Sequence, residues 1–171
     1  KAGFTVSTAE VKVGGASGCF SATSERPEPN GAWARTSRTF SPTFNIGKQR
    51  GLGVWVHGDG QGALLNLQLR NPSHVVGGIG EHYMRLDFTG WRYFNLIESE
   101  SDWAYETNWP YSGSGYGLYR EGVEYEKIET LSFWLNNLPT GKSVTCYISP
   151  VKAVPLVKGK IIRPRITVAG K

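Results

Sequence analysis

The sequence predicts an all-β chain folded as a two-sheet antiparallel β-sandwich, a jelly roll. Three observations predict it. Apolar and polar residues alternate strictly in several short runs, the period of a strand with one buried face. The 22 glycines and 9 prolines are scattered between those runs rather than gathered in one tract, as turns between many short strands require. Helical periodicity is confined to the stretch from Glu121 to Glu129, where at most a turn or two is expected. With 171 residues, 39% of them hydrophobic, the chain can fill one sandwich core.

The elements follow in chain order. Early strands are expected near Phe4 to Val13, Cys19 to Thr23 and Trp33 to Phe40, with Trp33 packing against a sheet edge. Val54 and Val56 then alternate with Trp55 and His57. Gly58-Asp59-Gly60-Gln61-Gly62 reads as a hairpin connection to the next strand, because glycine tolerates positive φ. In that strand Leu65, Leu67 and Leu69 should face the core, while Asn66, Gln68 and Arg70 share the opposite face. His74 is expected in a loop with no special role.

Met84, Leu86 and Phe88 alternate with Tyr83, Arg85 and Asp87, and Asp87 to Trp91 should turn into a further strand with Trp91 and Phe94 in the core. Leu131, Phe133 and Leu135 alternate with Ser132, Trp134 and Asn136, and Val144, Cys146 and Ile148 with Thr145, Tyr147 and Ser149. Nine or ten strands are expected, enough for two sheets.

From Glu98 to Tyr125 the rhythm breaks. Trp103, Tyr105, Trp109, Tyr111, Tyr116 and Tyr119 stand among serines and glycines. A long irregular loop in a compact domain tends to carry function. The module is expected to span residues 1–154. Residues 155–171 read as a linker or as the first strand of a following domain, and Lys1 suggests a piece of a longer chain. Cys19 and Cys146 lie in an early and a late strand, which are often neighbours in a jelly roll; a disulfide and two buried thiols both fit.

Several function classes find no support. The net charge of +5 is mild, and its C-terminal part (Lys158, Lys160, Arg163, Arg165, Lys171) comes with no nucleic-acid-binding signature. No apolar run approaches the length of a membrane-spanning helix. A nucleophile elbow, a zinc-protease helix and a phosphate-binding loop are all missing from the motifs. A glycosidase needs two carboxylates flanking one bond, and Asp87 is the only acid in the outward strand phase of these runs.

Leu52-Gly53-Val54-Trp55-Val56-His57-Gly58-Asp59-Gly60-Gln61-Gly62, Asp87-Phe88-Thr89-Gly90-Trp91-Arg92-Tyr93-Phe94 and Leu131 to Pro139, with the strand ending Val151-Lys152-Ala153, resemble the galactose-binding-like jelly rolls. Among these folds the motifs are similar to those of the family 11 carbohydrate-binding modules, and the likeness covers about residues 15 to 154. The resemblance implies a non-catalytic module of a secreted, multidomain carbohydrate-active protein. It also implies a concave sheet face that cradles a glycan, often with a structural calcium ion at the sandwich edge. Where many relatives place an aspartate for calcium, this chain reads Ile148-Ser149-Pro150.

A sugar offers flat C–H faces and a rim of hydroxyls, so its site needs aromatic platforms and planar polar groups. The outward phase supplies both: Trp134, Arg85, Gln68, Tyr83, Asn66, His57, Arg70, Asn136 and Tyr147, with Trp109 from the long loop. Arg70 and Arg85 lean toward an acidic or sulfated polysaccharide, because guanidinium forks pair with carboxylate and sulfate. Two rival readings stand beside this one. The domain is an ancillary brace for an adjacent catalytic domain, or it is a jelly-roll polysaccharide lyase using residues such as Gln68, Arg70, His82, Tyr83 and Arg85.

Overall fold

The structure, a computed structural model, describes residues 1–25, 32–72, 78–96 and 123–155. The Glu98 to Tyr125 aromatics from Trp103 to Tyr119, His74 and the basic segment after Pro155 lie outside those residues. The described residues form ten strands: β1 (Ala2–Ser7), β2 (Ser17–Thr23), β3 (Ala34–Phe44), β4 (Arg50–Asp59), β5 (Leu64–Arg70), β6 (Ile79–Arg85), β7 (Thr89–Leu96), β8 (Ile128–Asn136), β9 (Ser143–Ile148) and β10 (Lys152–Pro155). The described part of the helix candidate, 123–127, is coil and turn leading into β8.

Two antiparallel sheets result. One has the order β1-β2-β9-β4-β10, with β7 also paired to β4, and the other has the order β3-β8-β5-β6. β9 and β10 share one edge of β4, through Val56↔Ile148 and Gly53↔Lys152. Pro150 separates them because it brings no N–H to a ladder. The Trp55 amide donates instead to Ser149 Oγ, 2.9 Å away.

The core lies where the two inner faces meet, and the alternation holds there. Leu65, Leu67, Met84, Leu86, Leu135, Val56, Val144 and Cys146 are fully buried, Phe88 and Phe133 nearly so, and Leu131 half-buried against the same cluster. Trp91 departs from expectation. Phe94 pairs with Val54 and packs on the core, but Trp91 pairs with His57 and so shares its outer face.

The glycine-rich corner also differs from the expected hairpin. β4 and β5 belong to different sheets, so Gly58–Gly62 carries the chain across the sandwich. Gly60 and Gly62 hold φ of 77° and 80° there. Asp59 fastens the corner to β9 by accepting from the Thr145 amide at 2.8 Å. The connection from β6 to β7 crosses between sheets in the same way.

Cys19 and Cys146 do sit on neighbouring strands. Cys146 pairs with Phe20 and points into the core, whereas Cys19 pairs with Tyr147 on the outer face. Both thiols are free, and the opposite facing removes the disulfide.

Candidate functional site

Register builds the outer face of the four-stranded sheet row by row. Ser37, Ser132, Gln68 and Glu81 face one another across β3, β8, β5 and β6. The next row is Arg35, Trp134, Asn66 and Tyr83, and the one beyond joins Asn136, Leu64 and Arg85. Arg70 lies one row to the other side of Glu81. The structure therefore brings together Asn66, Gln68, Arg70, Tyr83, Arg85, Trp134 and Asn136.

The aromatic end of this face is a tryptophan pair. Trp33 is 52% exposed, and its ring centroid lies 5.0 Å from that of Trp134 at 51°. Arg35 sets its guanidinium 5.1 Å from the Trp134 ring, a cation–π contact. Trp33 thus packs on Trp134 at the entrance to the edge strand β3, with much of its ring exposed. Its outward phase was visible in Trp33-Ala34-Arg35, where the small alanine alternates with two large groups.

The polar centre is buried and organised around Glu81. Asn66 Nδ2 and Gln68 Nε2 both donate to Glu81 Oε1, at 3.2 and 3.0 Å. Asn66 Oδ1 accepts from the His82 amide at 3.0 Å. Burial pushes the Glu81 carboxyl above its ordinary range, opposed by hydrogen bonds from Gln68, Tyr83 and Asn66. Glu81 Oε2, Ser132 Oγ, Trp134 Nε1 and Asn136 Oδ1 are buried with no hydrogen-bond partner among the described residues. Glu81 and Ser132 were missed as site residues, although both follow the outward phase of their strands.

Burial here exceeds what an open polar face would show. Asn66, Gln68, Glu81, Ser132 and Asn136 are buried, Tyr83 and Trp134 are half-buried, and Arg35 and Arg85 are exposed.

His57 and Tyr147 do not join this face. They lie on the outer side of the six-stranded sheet, so the single site expected from sequence is divided between opposite sides of the sandwich. There His57 meets the edges of Trp91 and Tyr147 at 5.4 and 5.7 Å, and Trp55 lies 5.3 Å from Tyr93. Lys12 covers the Trp55 ring at 4.9 Å, and Glu10 stands 3.9 Å from His57 Nε2. The adjacent Cys19 raises the Tyr147 phenol above its ordinary range. Trp109 lies outside the described residues.

His82 points the other way from its neighbours Glu81 and Tyr83. It is fully buried in the core, with Nδ1 3.0 Å from the Leu67 carbonyl. Burial lowers its pKa to about 4, so the ring is neutral and Nδ1 carries the proton it donates. That position separates it from the residues grouped with it as a lyase constellation.

At the position where the resemblance implies a calcium aspartate, Ser149 Oγ is engaged by Trp55. No three His, Cys, Asp or Glu side chains gather among the described residues.

No protein-family profile and no curated protein sequence matches the chain. Solved structures do. A family 11 carbohydrate-binding module from Clostridium thermocellum in complex with a β-1,3-1,4-mixed-linked tetrasaccharide matches at TM-score 0.56 and 12% identity, over 91% of this chain and 83% of that one. The family 11 module of the cellulosomal cellulase Lic26A-Cel5E of Clostridium thermocellum matches at TM-score 0.58 and 10% identity, over 94% and 85%. An exo-β-agarase matches at TM-score 0.56 and 8% identity, over 93% of this chain but 23% of that one. At these identities the likeness is one of fold: the chain has the jelly-roll sandwich of carbohydrate-binding modules.

Proposed function

We propose that this chain is a non-catalytic carbohydrate-binding module of a secreted, multidomain carbohydrate-active protein, and that it holds a polysaccharide chain on the outer face of the β3-β8-β5-β6 sheet. One observation carries the reading. The Trp33–Trp134 pair adjoins buried polar atoms that have no hydrogen-bond partner among the described residues, namely Glu81 Oε2, Ser132 Oγ, Trp134 Nε1 and Asn136 Oδ1. Rings of this kind take the C–H face of a sugar, and unpaired buried donors and acceptors are costly until something like a hydroxyl meets them. Binding in the micromolar to millimolar range is expected, about 4 to 8 kcal/mol.

Affinity electrophoresis of the isolated chain through gels containing neutral and acidic polysaccharides tests this. Retardation by at least one of them, lost in Trp134→Ala, supports the reading. Unretarded migration through every gel by a folded protein overturns it.

A second reading is favoured by a specific observation. The centre of the face is buried, with Asn66 at 2% and Gln68 at 6% exposure, which suits a domain that braces a neighbour without binding sugar. The agarase likeness, confined to 23% of that chain, is compatible with such a place in a larger enzyme.

A further inference from the structure

We propose that the open end of the core beneath β1 is a binding pocket for a small, uncharged molecule with a single aromatic ring, separate from the sheet face read above as the glycan site.

The pocket arises from small residues where large ones would close the sandwich. β1 is an edge strand, and its Phe4 and Val6 pair with Phe20 and Gly18 of β2. Phe20 is buried in the core, so Phe4 and Val6 share its inward phase. Val6 is nevertheless 78% exposed and Phe4 40%. Gly18 brings no side chain opposite Val6, and Phe4 leans over it so closely that a Cβ at Gly18 would run into the ring. What remains is an apolar pocket of about 280 Å³, open to solvent and lined by Phe4, Val6, Ala16, Phe133, Pro150 and Val151.

Size and chemistry select the guest. A closed apolar cavity of about 150 Å³ is enough for a benzene ring, so this pocket has room for one ring and a short substituent. The rings of Phe4 and Phe133 stand 10° from parallel, with centroids 6.5 Å apart. Phe133 is the buried member of the pair and Phe4 the exposed one. Two nearly parallel aromatic faces favour a flat guest that stacks on them.

No charged residue lines the pocket. Its two serines are already engaged. Ser17 Oγ donates to the Glu10 carbonyl. Ser149 Oγ accepts from the Trp55 amide at 2.9 Å and donates to the Pro150 carbonyl at 3.3 Å. A guest therefore gains from apolar burial and stacking, and a charge carried inside would stay unpaired.

The test uses the full chain with fluorobenzene as the probe, followed by fluorine NMR. The signal should shift saturably, with a dissociation constant of about 1 mM or tighter, well within reach of a ligand of so few atoms. Benzyl alcohol should displace the probe more than about tenfold better than benzoate, because only benzoate carries a charge inside. Phe4→Leu keeps the apolar bulk but removes a ring face, and should weaken binding by about threefold to tenfold. Val6→Trp fills the mouth from an exposed position and should weaken it by about tenfold or more. Retardation of Val6→Trp by polysaccharide should match wild type, so this proposal and the glycan reading fail separately.

Four results would overturn the proposal. The first is no saturable shift with folded wild type up to the solubility of the probe. The second is unchanged binding in folded Val6→Trp, which tests the pocket even if Phe4→Leu does not fold. The third is displacement by benzoate as effective as by benzyl alcohol. The fourth is a dimer in sedimentation equilibrium that Phe4→Leu dissolves, which would assign the pocket to a second copy of the chain.

Discussion

Gln68 donates its side-chain amide to Glu81 Oε1 at 3.0 Å, across neighbouring strands of one sheet. The bond ties the two polar residues nearest the centre of the outer face into one unit. Removing either leaves the other buried and short of a partner, at a cost of about 1 to 3 kcal/mol. Gln68→Ala should therefore lower the denaturation midpoint as well as any glycan affinity. Parallel urea melts and binding isotherms check both, and an unchanged melt would show that the bond contributes no stability.

The tryptophan pair gives a sharper test of location. Trp134→Ala and Trp33→Ala should each weaken glycan binding by about 2 kcal/mol or more, the scale of an aromatic hot spot. Tyr93→Ala, on the outer face of the other sheet, should leave affinity unchanged. Isothermal titration on the three variants decides it. A loss confined to Tyr93→Ala would move the site to the six-stranded sheet.

His82 predicts an acid weakness. Its folded value, about 4, lies below the ordinary 6.5. Between those values the unfolded chain binds a proton that the folded chain refuses, so stability falls as the pH drops through this window. Complete passage amounts to about 3 kcal/mol. Glu81 works in the opposite direction, because its raised folded value makes the folded chain the stronger proton binder above pH 4.5. Denaturant melts from about pH 7 to 4 in a Glu81→Gln background isolate the histidine slope. His82→Leu should flatten it.

Two packing variants test the fold. Leu67 is fully buried in the central strand β5, and Leu67→Ala should cost about 2 to 5 kcal/mol. Gly58 lies where a Cβ would come 2.4 Å from the Phe88 carbonyl oxygen, a backbone atom that cannot swing away. Gly58→Ala should therefore destabilise by about 1 to 3 kcal/mol through overpacking. Thermal melts of both against wild type provide the measurement.

The alternation of Leu65, Leu67 and Leu69 with Asn66, Gln68 and Arg70 carried the strand phase and hence the core. It carried nothing about which sheet a strand joins. A sandwich has two outer faces, and a period of two marks only outward from the core. For that reason His57 and Tyr147 were grouped with Trp134, although a whole sandwich lies between them. The same limit explains the Gly58–Gly62 corner: glycines announce a change of direction, not the sheet that receives the chain. Burial of Asn66 and Gln68 was equally illegible, since periodicity fixes a side chain's direction and not what covers it. Trp33 and Glu81 were readable by the rule already in use. They stood in sequence beside residues with plainer roles, Trp33 beside the strand opened by Ala34 and Glu81 beside His82 and Tyr83.

The opposite facing of Cys19 and Cys146 has a practical consequence. Cys146 is sealed in the core, and burial raises its thiol far above the ordinary range. Cys19 sits half-buried on the outer side of the sheet remote from Trp134 and Glu81. A maleimide therefore has one realistic attachment point. A probe or bead coupled there sits behind the sandwich and leaves the tryptophan platform facing the solution, so the native chain arrives with a built-in handle for oriented immobilisation.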